Sequence, residues 1–193
     1  GPLYDRIESN GGGMALFMNG ALGGMVTADT RREANTEANT WEECIRIGEL
    51  LADEALRIVS TVAPLENPAL YCTSRTSDFP VESDMRKYIL QSSPLKHPNA
   101  KPNAVSAQLN LLNIGPAQIL TIPGEALPNI GFYLKRNMNT KLPFLFGLTN
   151  DAYGYMLTKV DFNSFKRYDY VSRTSLGEMT GEIYMEQALK LVK

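Results

Sequence analysis

The chain has 193 residues, of which 44% are hydrophobic and 21% are charged, and its formal net charge is −2. These values are typical of a globular protein and exclude wholesale disorder. No block of Lys and Arg stands out, so nucleic-acid binding through a basic patch is excluded. Two cysteines are too few for a disulfide framework or a structural zinc site. The single histidine, His97, excludes a metal site built from several imidazoles of this chain alone.

The N-terminal third is predicted to hold two helices and one short strand. Residues 3–9 are helix-like, and residues 14–18 form a short apolar strand candidate. The clearest helix begins after Thr40, because Thr40 and Glu43 match a capping box. Apolar residues then recur at helical spacing and predict one buried face, which comprises Cys44, Ile47, Leu51, Ala55, Ile58 and Val62. We expect Cys44 to be a buried packing residue and not a nucleophile.

The rest of the chain alternates predicted strands and helices. In chain order these are an extended segment at 69–81, a short helix at 84–91, a strand at 105–111, a buried strand at 117–122, a helix at 126–138, strands at 145–148 and 153–158, and a helix at 178–193. The inward residues of the last helix are predicted to be Met179, Ile183, Ala188 and Leu191. The pattern predicts an α/β (α+β) fragment, one domain over residues 1–193, with a mixed sheet covered by helices.

Generic catalytic motifs such as G-x-S-x-G, the Walker A loop and H-E-x-x-H are missing from the sequence. Two loops next to predicted strands are more informative, because α/β proteins often bind ligands there. The loop at 19–29 is rich in glycine and presents the hydroxyl of Thr27. The loop at 122–125 sets Glu125 between a buried strand and a helix, where its carboxylate could equally be a helix N-terminal charge.

A third loop, residues 148–155, places a polar turn before aromatic residues. Its Asn150 and Asp151 could bind a ligand or could simply start a hairpin. Within the three loops we expect substrate contacts at Asn19, Gly24, Asn150 and Tyr155. His97 lies in a loop rich in Pro, Lys and Asn, where we expect a solvated side chain.

Taken in order, four runs resemble the neutral (non-lysosomal) ceramidase family. They are ALFMNGALGGMVT at 15–27, GPAQILTIPGE at 115–125, GLTNDAYGY at 147–155, and Tyr170 followed by Ser-Leu-Gly at 175–177. The most specific feature is the Pro-Gly-Glu strand end followed by Asn-Asp-x-x-Gly-Tyr. The sequence is most similar to bacterial ceramidase-like proteins. The resemblance implies a piece of a larger catalytic domain and a secreted or periplasmic location.

The resemblance also implies a zinc site, because this family holds one zinc through two histidines, a glutamate and a tyrosine, beside a serine. Carried onto this sequence, the glutamate is Glu125 and the tyrosine is Tyr170, with Tyr168 as the alternative. Thr27 occupies the serine position and is the expected catalytic residue. The histidines belong to an N-terminal half that this chain is expected to lack, and His97 matches neither. We therefore expect the isolated chain to bind zinc weakly and to be inactive.

The function implied by the resemblance is zinc-dependent hydrolysis of an N-acyl, sphingolipid-type amide. Expected partners are the lipid amide substrate, the N-terminal half of the same protein, a membrane surface and further copies of the chain, with no nucleic acid. The replacement of serine by Thr27, whose methyl group crowds attack, leaves two alternatives open. One is a non-catalytic binding or scaffold domain, and the other is a zinc hydrolase acting on an ester or glycoconjugate.

Overall fold

A computed structural model describes residues 1–11, 13–25, 39–94, 100–101, 103–164, 166 and 169–192. The chain divides into two compact units, one of Gly1–Met18 with Val26–Asn67 and one of Asn19–Met25 with Pro68–Lys193. The single-domain organisation of the fragment stays a prediction. Within the described residues, no helix combines the length and apolarity that crossing a bilayer requires. Thr27, His97 and Tyr168 lie outside the described residues.

The first unit contains two helices, α1 (Pro2–Ser9) and α2 (Trp41–Ser60). A proline near the start of α1 is favourable, because the first helical N–H groups have no intrahelical partner. The side chain of Thr40 accepts a hydrogen bond from the Glu43 N–H at 3.3 Å. This bond satisfies one orphan donor of α2 and confirms the predicted start of the helix.

The two helices of this unit are held by a close contact and an ion pair. At Gly48 of α2, an added Cβ would lie 2.9 Å from the Cβ of Pro2, so the helices can approach only where a side chain is missing. Arg6 of α1 donates from Nε to Oδ1 of Asp53 at 2.8 Å. The pair is solvent-exposed, and such pairs contribute only about 0–1 kcal/mol.

Two predictions for this unit are wrong. Residues 14–18 form no strand, because no described residue pairs with them, and Met14 and Leu16 are 85% and 84% exposed. Cys44 is exposed, although it lies on the face of α2 that was predicted to be buried. The short helix α1 covers only part of that face, so Ile58 and Val62 are exposed as well.

The second unit contains the remaining elements. In chain order they are β1 (Leu70–Pro80), α3 (Asp84–Ser92), β2 (Ala100–Lys101), β3 (Ala104–Ile114), β4 (Ala117–Thr121), β5 (Glu125–Ala126), α4 (Pro128–Asn137), β6 (Leu142–Phe146), β7 (Tyr155–Met156), α5 (Asp169–Arg173) and α6 (Thr180–Leu189). The main sheet has the order β1-β3-β4-β6, and β2 also pairs with β3. The pairs β1–β3 and β3–β4 are antiparallel, whereas β4–β6 is parallel. Strands β5 and β7 form a separate parallel pair.

The core lies on one face of the main sheet. Register places Leu111 of β3, Leu120 of β4 and Leu145 of β6 in one row, and all three are buried. Helices α4 and α6 contribute the fully buried side chains of Leu134 and Tyr184 to the same cluster. The predicted α/β class, with a mixed sheet and packed helices, is therefore confirmed.

The opposite face of the main sheet, which we call the outer sheet face, carries apolar side chains that contact solvent. One register row across the four strands comprises Leu70, Ile114, Ala117 and Leu142, and the next comprises Cys72, Leu112, Ile119 and Phe144. Leu70 is 73% exposed, and Leu142 and Phe144 are each 48% exposed. The unit therefore exposes a patch of apolar sheet surface.

One boundary difference concerns α4, which begins at Pro128 and not at residue 126. The helix starts later than predicted because residues 125–126 are extended and paired with β7. In α6, the prediction that Met179 faces inward is wrong, since this residue precedes the helix and is 39% exposed. Tyr184 and Ala188 of α6 are fully buried.

Candidate functional site

Glu125 and Tyr155 are neighbours across the parallel pair β5–β7. The two residues are register partners, and register partners place their side chains on the same side of a sheet. The Glu125 N–H donates to the Gly154 carbonyl at 2.9 Å and fixes this pairing. The predicted ligand and the predicted substrate contact are therefore adjacent.

Backbone hydrogen bonds join the loop at 148–155 to the loop at 122–125. The N–H of Thr149 donates to the Ile122 carbonyl at 3.0 Å, and the N–H of Tyr153 donates to the Pro123 carbonyl at 3.0 Å. The hairpin alternative for the later loop is wrong, because β6 and β7 pair with β4 and β5 and not with each other.

The placement of Glu125 bears on one of its two sequence interpretations, that of a helix N-terminal charge. The residue lies in β5, and the N-cap of the following helix is Leu127. Glu125 is therefore a residue at a strand end and does not lie in the first turn of α4. The residue is partly exposed.

The glycine-rich segment Asn19–Met25 packs against the same strand ends. The Gly23 N–H donates to the Ala126 carbonyl at 2.8 Å, and the Gly147 N–H donates to the Asn19 carbonyl at 2.8 Å. Gly23 lies so close to β5 that an added Cβ would overlap the backbone of Glu125 and Ala126. The structure thus brings together the described parts of all three loops that the sequence singled out.

Tyr170 of α5 joins the pair of Glu125 and Tyr155 through a contact with Tyr155. Its ring meets that of Tyr155 edge to face, with centroids 5.9 Å apart and planes at 75°. Tyr170 is 38% exposed and lines a cleft of about 720 Å³. Other residues lining this cleft include Glu82, Phe162 and Arg173.

The electrostatic surroundings keep the phenol of Tyr155 protonated at neutral pH. Burial, the negative charge of Glu125 and a hydrogen bond with Tyr170 together raise the pKa of Tyr155 to about 12. Each of these influences disfavours a second negative charge beside the carboxylate. A phenolate could form here only if a cation offset that charge.

The other residues predicted to contact the substrate form turns or hydrogen bonds within the chain. Asn150 adopts a positive φ of 71°, and its side-chain amide donates to the Gln108 carbonyl at 2.9 Å. The carbonyl of Asn19 accepts a hydrogen bond from the Gly147 N–H. Gly24 lies in a turn and has a positive φ of 76°. Their contacts with a substrate stay predictions, as does the catalytic role of Thr27.

Sequence reasoning missed Arg86, a half-buried residue of α3. Its charge interacts with that of Glu125 across the site. Its Nε and Nη2 donate to the carbonyl of Thr174, at 2.9 and 2.7 Å. A lone arginine in a short polar helix carries no pattern that could have indicated this position.

The oxygen donors of the site fit zinc as part of a ligand set. Zinc accepts carboxylate oxygen, and a catalytic site takes three protein ligands as a rule. In the part of the chain that the structure describes, no three His, Cys, Asp or Glu side chains gather at a common point. Glu125 with the phenols of Tyr155 and Tyr170 could therefore supply some of the ligands, with the remainder coming from elsewhere.

Comparisons with known proteins agree with this architecture. No protein-family model and no curated protein matches the sequence. The fold is similar to the crystal structure of neutral ceramidase from Pseudomonas aeruginosa, with 13% identity and a TM-score of 0.61 over 83% of this chain. A structure described as "Ceramidase complexed with C2" matches 45% of this chain with 17% identity and a TM-score of 0.41.

The protein therefore has a ceramidase-like α/β fold, as the resemblance predicted. The match covers 34% of the Pseudomonas aeruginosa ceramidase chain and 14% of the other ceramidase chain. This chain thus spans about a third or less of the length of the solved structures that it matches.

Proposed function

We propose that this chain is part of a zinc-dependent, ceramidase-like amidohydrolase that cleaves an N-acyl, sphingolipid-type amide. The observation that supports the proposal is the pairing of Glu125 with Tyr155 across β5–β7, together with the ring contact of Tyr155 with Tyr170, in a ceramidase-like fold. In this proposal the chain supplies only part of the active site. The missing nitrogen ligands come from other residues of a longer protein, in keeping with the limited share of each ceramidase chain that is matched.

In the proposed site, Glu125 and a tyrosine phenol hold the metal from one side. Bound zinc would activate water and polarise the amide carbonyl. Glu125 is suited to this role because the Gly154 carbonyl fixes its backbone and its side chain is partly accessible. Tyr170 is the ligand that the resemblance indicates, and Tyr155 is the phenol that register places beside Glu125.

The cleft that Tyr170 lines could hold part of the substrate. Its volume of about 720 Å³ falls within the range of about 300–1,000 Å³ that is usual for small-molecule sites. Phe162 offers an apolar contact for hydrocarbon, and Glu82 and Arg173 offer polar contacts for a head group. We also propose, from the resemblance, a secreted or periplasmic location and association with a membrane surface. Homo-oligomerisation is proposed from the exposed apolar side chains of the outer sheet face.

The test uses the full-length protein that contains this chain. We expect it to hold zinc in stoichiometric amount and to hydrolyse an N-acylsphingosine with a fluorescent acyl group. The variant Glu125→Gln should lose most of its zinc and its activity, whereas Glu186→Gln on the exposed face of α6 should retain both. Zinc content that is unaffected by Glu125→Gln would remove this ligand from the proposal.

The replacement of serine by threonine at residue 27 supports a second candidate, a binding or scaffold domain without catalysis. The same full-length protein tests it, since stoichiometric zinc with cleavage of any amide contradicts this candidate. A panel of esters and glycoconjugates tests the third candidate, a zinc hydrolase in which Thr27 and Met25 alter the pocket and move the selectivity away from amides.

A further inference from the structure

Arg86 lies where the segments that carry the three site side chains come together. It occupies the first turn of α3, whose N-cap Ser83 accepts a hydrogen bond from the Arg86 N–H at 3.4 Å. The Ser83 hydroxyl also donates to the Arg173 carbonyl at 2.9 Å, at the end of α5. The beginning of α3 is thus fastened to the end of the helix that presents Tyr170.

The guanidinium of Arg86 strengthens this connection. Nε and Nη2 both donate to the Thr174 carbonyl, at 2.9 and 2.7 Å. Thr174 is itself tied to Tyr170, because its N–H and its hydroxyl reach the Tyr170 carbonyl at 2.9 and 2.8 Å. A continuous set of hydrogen bonds therefore runs from Arg86 to the backbone of Tyr170.

On its other side, Arg86 contacts Gly154, the residue that precedes β7. Its guanidinium occupies the space that a side chain of residue 154 would need, and this residue is a glycine with φ of 86°. The carbonyl of Gly154 accepts the N–H of Glu125, and Tyr155 is the next residue. Arg86 is thus in contact with the segment that fixes Glu125 and Tyr155.

Arginine is suited to this place by shape as well as by charge. Its rigid planar fork can direct two N–H groups at one carbonyl, whereas lysine offers a single flexible ammonium group. The positive charge of Arg86 also interacts with the negative charge of Glu125. A neutral side chain of similar length, such as methionine, would fill the space without making these bonds.

We propose that Arg86 is a positioning residue that holds the end of α5 against the Gly154 segment, so that Tyr170 faces Tyr155 and Glu125. The use of this arrangement in hydrolysis rests on the proposed function, but the arrangement itself does not require the metal. The role can therefore be tested on the 193-residue chain alone.

The test measures nuclear Overhauser contacts between the rings of Tyr155 and Tyr170 in the metal-free chain. We expect the contact in the unaltered protein, its loss in Arg86→Met, and its partial return in Arg86→Lys. Lys87→Met changes the adjacent residue of the same helix and should leave the contact intact. The signals of Tyr184 should stay the same in all variants, because a purely structural role of Arg86 would disturb the core as well.

Retention of the ring contact in Arg86→Met would overturn the proposal. If that variant does not fold, the unaltered protein can still test the proposal. The guanidinium protons of Arg86 must then show contacts with Thr174 and Gly154. Absence of those contacts also overturns it.

In the full-length protein we expect Arg86→Met to weaken zinc binding about tenfold, as loss of a partner outside the metal ligands commonly does. A full-length protein without zinc would refute the proposed function and leave the ring contact as the test of Arg86.

Discussion

Glu125 and Tyr155 stand opposite each other on two parallel strands, and the Gly154 carbonyl between them accepts the N–H of Glu125. Tyr155 is therefore the phenol that the strand register places beside the predicted carboxylate ligand. Tyr170 lies on a separate helix and contacts the ring of Tyr155. The site therefore combines one carboxylate with two phenols that contact each other.

The two phenols can be separated by substitution in the full-length protein. We expect Tyr155→Phe to weaken zinc binding at least as much as Tyr170→Phe, because Tyr155 is the register partner of Glu125. Even a partner outside the metal ligands is commonly worth about tenfold or more in metal affinity, so either role gives a measurable loss. Competition with a chelator measures the affinity, and Tyr88→Phe, on the exposed part of α3, is the control. Unchanged affinity in both test variants would remove both phenols from the zinc site.

The isolated 193-residue chain should show no turnover of an N-acyl amide, even with added zinc. It contains the Glu125 side of the proposed site, and no described group of His, Cys, Asp or Glu completes a metal site. The measurement is product formation by purified chain, with the full-length protein as the positive control. Activity that copurifies with the chain and disappears in Glu125→Gln would show that the remaining ligands lie within these residues.

The buried hydroxyl of Tyr184 should contribute to stability. It is fully buried and donates to the Thr121 carbonyl at 2.9 Å. Tyr184→Phe leaves that carbonyl without its donor, which costs about 1–3 kcal/mol of unfolding free energy. Urea denaturation measures the loss, and Tyr88→Phe should change the midpoint little.

The same residue predicts how stability depends on pH. Burial raises the pKa of Tyr184 above its ordinary value. Below about pH 10 both the folded and the unfolded chain hold this proton, so its stabilising effect is fully present there. As the pH rises further, the unfolded chain releases the proton first and stability falls. Tyr184→Phe should lessen this alkaline fall, and an unchanged slope would contradict the assignment.

Gly23 should be intolerant of a side chain. An added Cβ would lie 2.8 Å from the carbonyl carbon of Ala126, and it would also overlap the Glu125 carbonyl. Gly23→Ala should therefore destabilise the second unit by about 1–3 kcal/mol, as overpacking commonly does. Gly20→Ala is the matched control, because its nearest neighbour is the Leu145 carbonyl oxygen at 3.9 Å. Equal unfolding midpoints for the two variants would contradict this contact.

The outer sheet face should promote self-association of the isolated chain. Leu70, Leu142 and Phe144 expose much of their area there, and clustered exposed apolar surface is a common cause of association. Phe144→Lys should shift sedimentation profiles toward the monomer. Val160→Lys also replaces an exposed apolar residue, which is 84% exposed and outside this face, and it should have little effect. Identical profiles for both variants would contradict a role of the outer sheet face.

Elements that depend on local sequence could be predicted well. The apolar run of β4 and the cap at Thr40 were read correctly, because hydrophobic continuity and capping chemistry act within a few residues. The strand predicted at 14–18 failed for the opposite reason. A strand needs a neighbouring strand with which to pair, and residues 14–18 have none among the described residues. The side chain of Met14 is accordingly exposed.

The site shows the same division. Glu125 and the loop before Tyr155 stood out through their motifs, and the structure brings them together. The register that pairs them depends on which strands meet, and local patterns do not encode that choice. Arg86 was missed because its importance comes from Thr174 and Gly154, two residues far away in the sequence.

The docking of segment Asn19–Met25 against β5 has a consequence for the order of events during synthesis. The segment leaves the ribosome early, but the carbonyl of Ala126 and the N–H of Gly147 that bind it are made much later. Closing so long a loop costs entropy, although each doubling of its length adds only about 0.6 kcal/mol. A nascent chain therefore cannot form these two hydrogen bonds of the glycine-rich segment until translation has passed β6.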